Sequence, residues 1–154
     1  MISHGGTKWD PINAYTDGAC REGNPGLCSS SFVVYKGDVL VHEEGRVLEG
    51  KQTNNTAEYM ALLDFLKWAE KNNVRNAFIH CDSMLVVNQT LQQWECNKPD
   101  LRKFSTQAYG LLIRGAHVLK HIKGHDGNVG NEEADALCNA LLDKYQEEHF
   151  ASKN

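Results

Sequence analysis

The order in which strand-like and helix-like runs follow one another limits the possible folds of this chain more than any other feature. Ile12-Asn13-Ala14-Tyr15-Thr16 alternates as a strand does, and Asp17-Gly18 ends it before a loop carrying the turn formers Gly23-Asn24-Pro25-Gly26. Ser30-Ser31-Phe32-Val33-Val34-Tyr35 reads as a second strand, Lys36-Gly37-Asp38 as a hairpin turn, and Val39-Leu40-Val41-His42-Glu43 as its antiparallel partner. Asn55 can cap a helix from about Thr56 to Lys71, rich in apolar positions such as Ala57, Met60, Ala61, Leu63, Phe65 and Trp68. The short apolar run Ala77-Phe78-Ile79-His80-Cys81, bounded by Asp82-Ser83, fits a buried parallel strand, followed by a helix from Met84 to about Trp94. A helix from about Pro99 to Ile113, a strand over Ala116 to Ile122 and the polar loop Gly124 to Asn128 come next. Ala134, Leu137, Cys138, Leu141, Leu142 and Tyr145 then recur at helical spacing, the stripe of an amphipathic terminal helix. The resulting order, β-β-β-α-β-α-α-β-α, is a meander followed by alternating units, which implies an α/β fold with a mixed sheet covered by helices on its faces.

With 154 residues and no internal repeat, linker or low-complexity segment, the chain is expected to be a single domain. Its core spans about residues 10–146, and the polar tail 147–154 is expected to fray. No stretch approaches the roughly 18 apolar residues of a membrane span, and the first residues lack the apolar centre of a secretory signal, so the expectation is a cytoplasmic protein without membrane contact. Five cysteines, odd in number, scattered and without a Cys-x-x-Cys pair, suggest reduced thiols and neither a disulfide framework nor a thiolate zinc site. The formal charge of -4 opposes nonspecific attraction to a polyanion, so a nucleic-acid partner would have to be held by a local patch.

Reacting sites in open α/β sheets tend to lie off the carboxyl ends of the parallel strands, and both Asp17 and Asp82 are expected there. Glu58, early in the helix after the meander, and Asp135, early in the last helix, can project toward the same edge. So many carboxylates cannot all stay ionised at close range without cations, and an all-oxygen set selects hard ions such as Mg²⁺ or Mn²⁺. A phosphodiesterase working through two metal ions is the natural reading. Each residue also has a plainer explanation. Glu58 three places after Asn55 matches a capping box, Asp17-Gly18 and Asp82-Ser83 are ordinary turn chemistry, and Asp135 can be a solvated residue beside an apolar stripe. It is their joint pattern that points to chemistry. His117, His121 and His125 recur every four residues, but the stretch reads as strand broken by Gly124 and offers no evident fourth zinc ligand. The Asn24-Pro25-Gly26 loop lacks the Gly-Lys-Ser/Thr ending of a nucleotide cradle, and a tight turn explains it better.

Five segments, Tyr15-Thr16-Asp17-Gly18, Asn24-Pro25-Gly26, Thr53-Asn54-Asn55-Thr56-Ala57-Glu58, Asp82-Ser83, and Gly124-His125 through Asn131 to Asp135, together resemble type 1 ribonuclease H. The resemblance spans about Ile12 to Leu142 and implies a five-stranded sheet in the order 3-2-1-4-5 with strand 2 antiparallel. It implies hydrolysis of the RNA strand of RNA/DNA hybrids to 5′-phosphate and 3′-hydroxyl ends by a monomer. Asp17, Glu58, Asp82 and Asp135 would bind two Mg²⁺ ions, with Mn²⁺ as a substitute. Asp17 would bridge both ions, Asp135 would complete the site that activates water, and Glu58 and Asp82 would hold the ion at the leaving 3′ oxygen. His125 matches the histidine that moves protons or helps product leave, a role that suits an imidazole side chain. Asn24, Asn54 and Asn55 resemble the family's minor-groove readers, and Lys51 and Thr53 occupy its DNA-phosphate pocket, with Lys in place of the commoner Arg.

Three departures accompany the resemblance. Trp94-Glu95-Cys96-Asn97-Lys98-Pro99 is too short for the basic, tryptophan-rich protrusion of many bacterial members. No hybrid-binding domain precedes Ile12, and Cys28-Ser29-Ser30-Ser31 stands where the family often carries glycines. Two other classes use the same scaffold: a noncatalytic hybrid-binding module, and another nuclease such as a junction resolvase, a transposase core or an isolated reverse-transcriptase domain.

Overall fold

The computed structural model describes residues 10–124 and 127–152. Strands β1 (Ile12–Arg21), β2 (Leu27–Lys36) and β3 (Val39–Val47) form the meander, followed by α1 (Asn54–Lys71), β4 (Phe78–Cys81), α2 (Met84–Thr90), α3 (Pro99–Gly115), β5 (Val118–His121) and α4 (Val129–Ser152). The hairpin connections make β1, β2 and β3 antiparallel, whereas the helical crossovers return β4 and β5 parallel to β1. The sheet order is β3-β2-β1-β4-β5, as expected, with β1 at its centre.

One face of the sheet, through Ala14, Phe32, Val34, Ile79 and Leu119, packs against α1 and α3, whose Leu62, Leu63, Phe65, Leu66, Ala108 and Leu112 complete the main core. The other face carries α4. Its apolar stripe buries Ala134, Cys138 and Leu142 completely, and Leu141 and Leu137 pack over Gly45 on β3, where a Cβ would lie 2.6 Å from Leu141 Cδ1.

Several boundaries differ from the sequence reading. β1 continues through Asp17-Gly18 to Arg21, because β2 pairs with it along its whole length as far as Leu27. The N-cap of α1 is Thr53, whose hydroxyl accepts a hydrogen bond from the Thr56 amide at 3.1 Å, rather than Asn55. α2 stops at Thr90 instead of about Trp94: Gln92 adopts φ 64°, and the amides of Gln93 and Trp94 both turn back to the Asn88 carbonyl. Ala116, with φ 54°, caps α3 in the left-handed region, so β5 begins only at Val118. α4 stays helical through Ser152, where a frayed tail is expected from sequence. Arg21 donates to Gln146 at 2.9 Å, Gln146 donates to Glu22 at 3.2 Å, and the Tyr145 and His149 rings stack at 3.8 Å.

The cysteine reading is also corrected. Cys20 and Cys28 form a disulfide, because the β1–β2 register sets them directly opposite each other with Cα atoms 4.0 Å apart. Spacing along the chain carries no trace of that pairing. Cys81 and Cys138 are buried free thiols. Among the described residues no helix is long and apolar enough to cross a membrane.

Candidate active site

Thr16 and Cys81 form the last parallel pair between β1 and β4, so the next residue on each strand, Asp17 and Asp82, emerges at the carboxyl edge of the parallel ladder. Asp17 therefore sits within β1 yet at the end of its parallel pairing. α1 crosses β1 at Gly18, where a Cβ would lie 2.6 Å from the backbone of Ala57 and Glu58. Only glycine permits this approach, and it lets the Gly18 amide donate to Glu58 Oε1 at 2.6 Å. Asp17, Glu58 and Asp82 each bring an oxygen within 4.8 Å of the others. Asp135, half-buried in α4, lies near enough to add its charge to the field at Asp17. Three of the predicted carboxylates thus meet at one locus, with Asp135 beside them.

Burial and mutual repulsion dominate its electrostatics. Asp17 and Glu58 are only 5% and 8% exposed. Desolvation, followed by the charge of Asp82, pushes the Asp17 carboxyl up to about 8, although its hydrogen bond with Glu58 works the other way. Glu58 is held well above the ordinary carboxylate range by burial and then by Asp17, against the opposing pull of the Gly18 amide. The Cys81 thiol lies 3.8 Å from Glu58 Oε2, and burial raises it too. Without a cation, then, the cluster retains protons at neutral pH. An all-oxygen set that burial and repulsion keep from ionising on its own has the donor chemistry of a hard divalent cation site.

Around the cluster, Asn24 and Asn54 come together, the Asn24 side-chain oxygen accepting from the Asn54 amide at 3.0 Å. Paired backbone hydrogen bonds of 2.9 Å between Gly26 and Gln52 hold these two loops side by side. Asn55 lies in the first turn of α1, and Thr53 is occupied as its cap. Lys51 is exposed and lines a groove of about 1010 Å³ that runs toward the end of α4. His125 lies outside the described residues. Of the other two histidines in the four-residue series, His117 accepts a hydrogen bond from the Ala77 amide at 3.0 Å, and His121 is exposed at the end of β5. Two contacts were not anticipated from sequence. Besides the Gly18 amide, Gly124 runs over Asp82, where a Cβ would lie 3.0 Å from Asp82 Oδ2. Gly18 directly after Asp17 is a sequence trace of the first contact; Gly124, which follows Lys123, leaves none.

The RNase H family model matches residues 10–142. The chain is 38% identical over 133 residues to ribonuclease HI of Halobacterium salinarum, covering 86% of this chain and 64% of that relative. It is 33% identical over 150 residues to ribonuclease H of a Cyanothece species, covering 91% of this chain and 94% of the relative. The crystal structure of the Halobacterium salinarum RNase H1 superimposes with a TM-score of 0.77, covering 87% of this chain and 98% of that one. LC11-RNase H1 in complex with RNA/DNA hybrid gives a TM-score of 0.76 at 27% identity, over 88% and 99% of the two chains. Sequence agreement over nearly the whole chain, with the same fold beneath it, makes this protein a member of the RNase H family.

Proposed function

We propose that this chain is an endoribonuclease that hydrolyses the RNA strand of RNA/DNA hybrids, leaving 5′-phosphate and 3′-hydroxyl ends. The observation that carries the reading is the buried Asp17-Glu58-Asp82 cluster with Asp135 beside it, in a chain of this family. Asp17 would be shared between two Mg²⁺ or Mn²⁺ ions, Asp135 would hold one, and Glu58 and Asp82 the other. Bound there, the ions supply activation of the attacking water and charge stabilisation at the leaving 3′ oxygen.

The chain's own groups do the positioning. The Gly18 amide fixes one oxygen of Glu58 and the Cys81 thiol lies 3.8 Å from the other, so the carboxylate cannot rotate freely. Asn24 and Asn54, already bonded to one another, present a joined polar rim suited to reading 2′-hydroxyls, with Asn55 beside them. Lys51 supplies an exposed cation and Thr53 a helix N-terminus for a phosphate of the DNA strand. His125 acts as the proton-moving group of the loop before α4, and its replacement by alanine slows cleavage without abolishing it. A complex of LC11-RNase H1 with hybrid on the same fold supports this substrate class.

Incubation of an end-labelled RNA/DNA hybrid with Mg²⁺, with EDTA and with an Asp17→Asn variant tests the assignment, alongside single-stranded RNA and duplex DNA. Cutting confined to the hybrid's RNA strand, and lost both with EDTA and in the variant, is the expected result. Equal cleavage of duplex DNA, or hybrid binding without any cutting in Mg²⁺ or Mn²⁺, overturns it.

A further inference from the structure

Three consecutive hydroxyls, Ser29, Ser30 and Ser31, are buried in β2, each at most 1% exposed. Strand alternation sends them to opposite faces. Ser30 donates to the Ala57 carbonyl of α1 at 2.6 Å, whereas Ser31 and Ser29 donate to the Ala134 and Cys138 carbonyls of α4 at 2.6 and 2.9 Å. The Ala134 carbonyl belongs to the peptide unit whose nitrogen is that of Asp135. Ser31 is also the register partner of Asp17, on the neighbouring strand. The Cys138 thiol closes the arrangement, lying 3.2 Å from Ser31 Oγ and 3.4 Å from the Asp17 carbonyl oxygen. One small side chain thus connects β2, at the position paired with Asp17, to the helix turn that carries Asp135.

We propose that Ser31 is a positioning residue for Asp135, holding the first turns of α4 at the distance from β1 at which Asp135 and Asp17 can share a cation. The proposal rests on the reading of Asp135 as a metal ligand. Glu58 has an independent anchor in the Gly18 amide, but Asp135 depends on where α4 lies, and Ser31 is the hydrogen-bonded tie nearest to it. A helix carbonyl in α4 already has its intrahelical partner, so the Ser31 bond adds placement of the helix against the sheet rather than helix formation. Groups that orient metal ligands typically change metal affinity by about 10- to 100-fold when removed.

Ser29 is the internal control: same strand face, same helix, same type of bond, but one helical turn further from the carboxylates. Mn²⁺ binding to the nucleic-acid-free protein is measured by calorimetry for wild type, Ser31→Ala, Ser29→Ala and Asp135→Asn, with hybrid-cleavage kinetics in parallel. Ser31→Cys, slightly larger and a weaker donor, replaces Ser31→Ala if the latter does not fold, and is measured with reductant because Cys138 Sγ lies within disulfide reach. The expected result is affinity weakened about tenfold in either Ser31 variant, and kcat reduced with KM for hybrid unchanged, while Ser29→Ala loses similar thermal stability but keeps wild-type affinity. Equal affinities in the Ser31 and Ser29 variants, with Asp135→Asn impaired, overturn the positioning role alone. Wild-type affinity in Asp135→Asn overturns the reading of Asp135, and the proposal with it.

Discussion

Glu58 is held by a backbone amide that reaches it only because residue 18 has no side chain. In a Gly18→Ala variant the added methyl meets backbone atoms of α1, not a flexible side-chain end, so the helix itself must move. We expect a loss of about 2 kcal/mol, read as a lower midpoint in urea unfolding, together with a collapse of cleavage, because the displaced segment contains Glu58. Glu58→Gln separates chemistry from stability. The amide keeps an oxygen for the Gly18 donor but removes a charge that burial and Asp17 disfavour. At pH 8 in EDTA this variant should melt higher than wild type while cleaving no hybrid, and a lower melting temperature would contradict the account of the cluster. The four carboxylates were legible in the sequence, because their types and places in the chain suffice to bring them to one sheet edge. The capping-box explanation of Glu58 was equally legible and is displaced only by where α1 begins. With Thr53 as the cap, Glu58 lies too far along α1 to reach back to it, and its carboxylate goes to Gly18 instead.

At the level of elements, the order of strands and helices could be read from sequence, but their ends could not. Asp17-Gly18 looks like a strand terminus because its local chemistry is that of a turn. Pairing with β2 over residues that include Cys20 and Arg21 outweighs that preference, and no local window contains it. The same blindness hid the Cys20–Cys28 disulfide, which is a consequence of register. The start of α1 carries a sharper consequence. Thr53 both caps the helix and stands in the proposed phosphate-binding rim, so Thr53→Ala should cost about 1 kcal/mol of stability. Thr53→Ser retains the capping oxygen and should restore it. If the rim reading is correct, KM for hybrid rises in Thr53→Ala and returns in Thr53→Ser. An unchanged KM in Thr53→Ala would assign the residue to capping alone.

For the molecule as a whole, the buried cluster couples folding to both pH and metal. In the metal-free fold the Asp17 carboxyl titrates near 8, against 3.8 for an unperturbed aspartate. The folded state therefore holds a proton that the unfolded chain has released over that interval. This contribution is complete below about pH 4 and is lost as pH rises through 8, with Glu58 acting in the same direction. The half-buried His80 and His117 act oppositely: burial lowers both, so their contribution to stability grows as pH rises and is complete once the unfolded chain's histidines have lost their protons, above about pH 7. Between pH 7 and 9 the carboxylates should govern the slope. In EDTA the melting temperature is expected to fall across this range, on the order of 5 °C for a domain of this size. Saturating Mg²⁺ or Mn²⁺ binds the ionised cluster and displaces its protons, so the fall should flatten or reverse, and the stabilisation by metal should be larger at pH 9 than at pH 7. Asp17→Asn removes one of these protons and one cation ligand, so its melting temperature should fall less steeply with pH than that of wild type, through Glu58 and the buried Cys81 and Cys138 thiols alone, and should respond less to metal. Identical slopes for wild type and Asp17→Asn in EDTA would mean that Asp17 is ionised in the metal-free fold, and the electrostatic basis for the cation site would then fail.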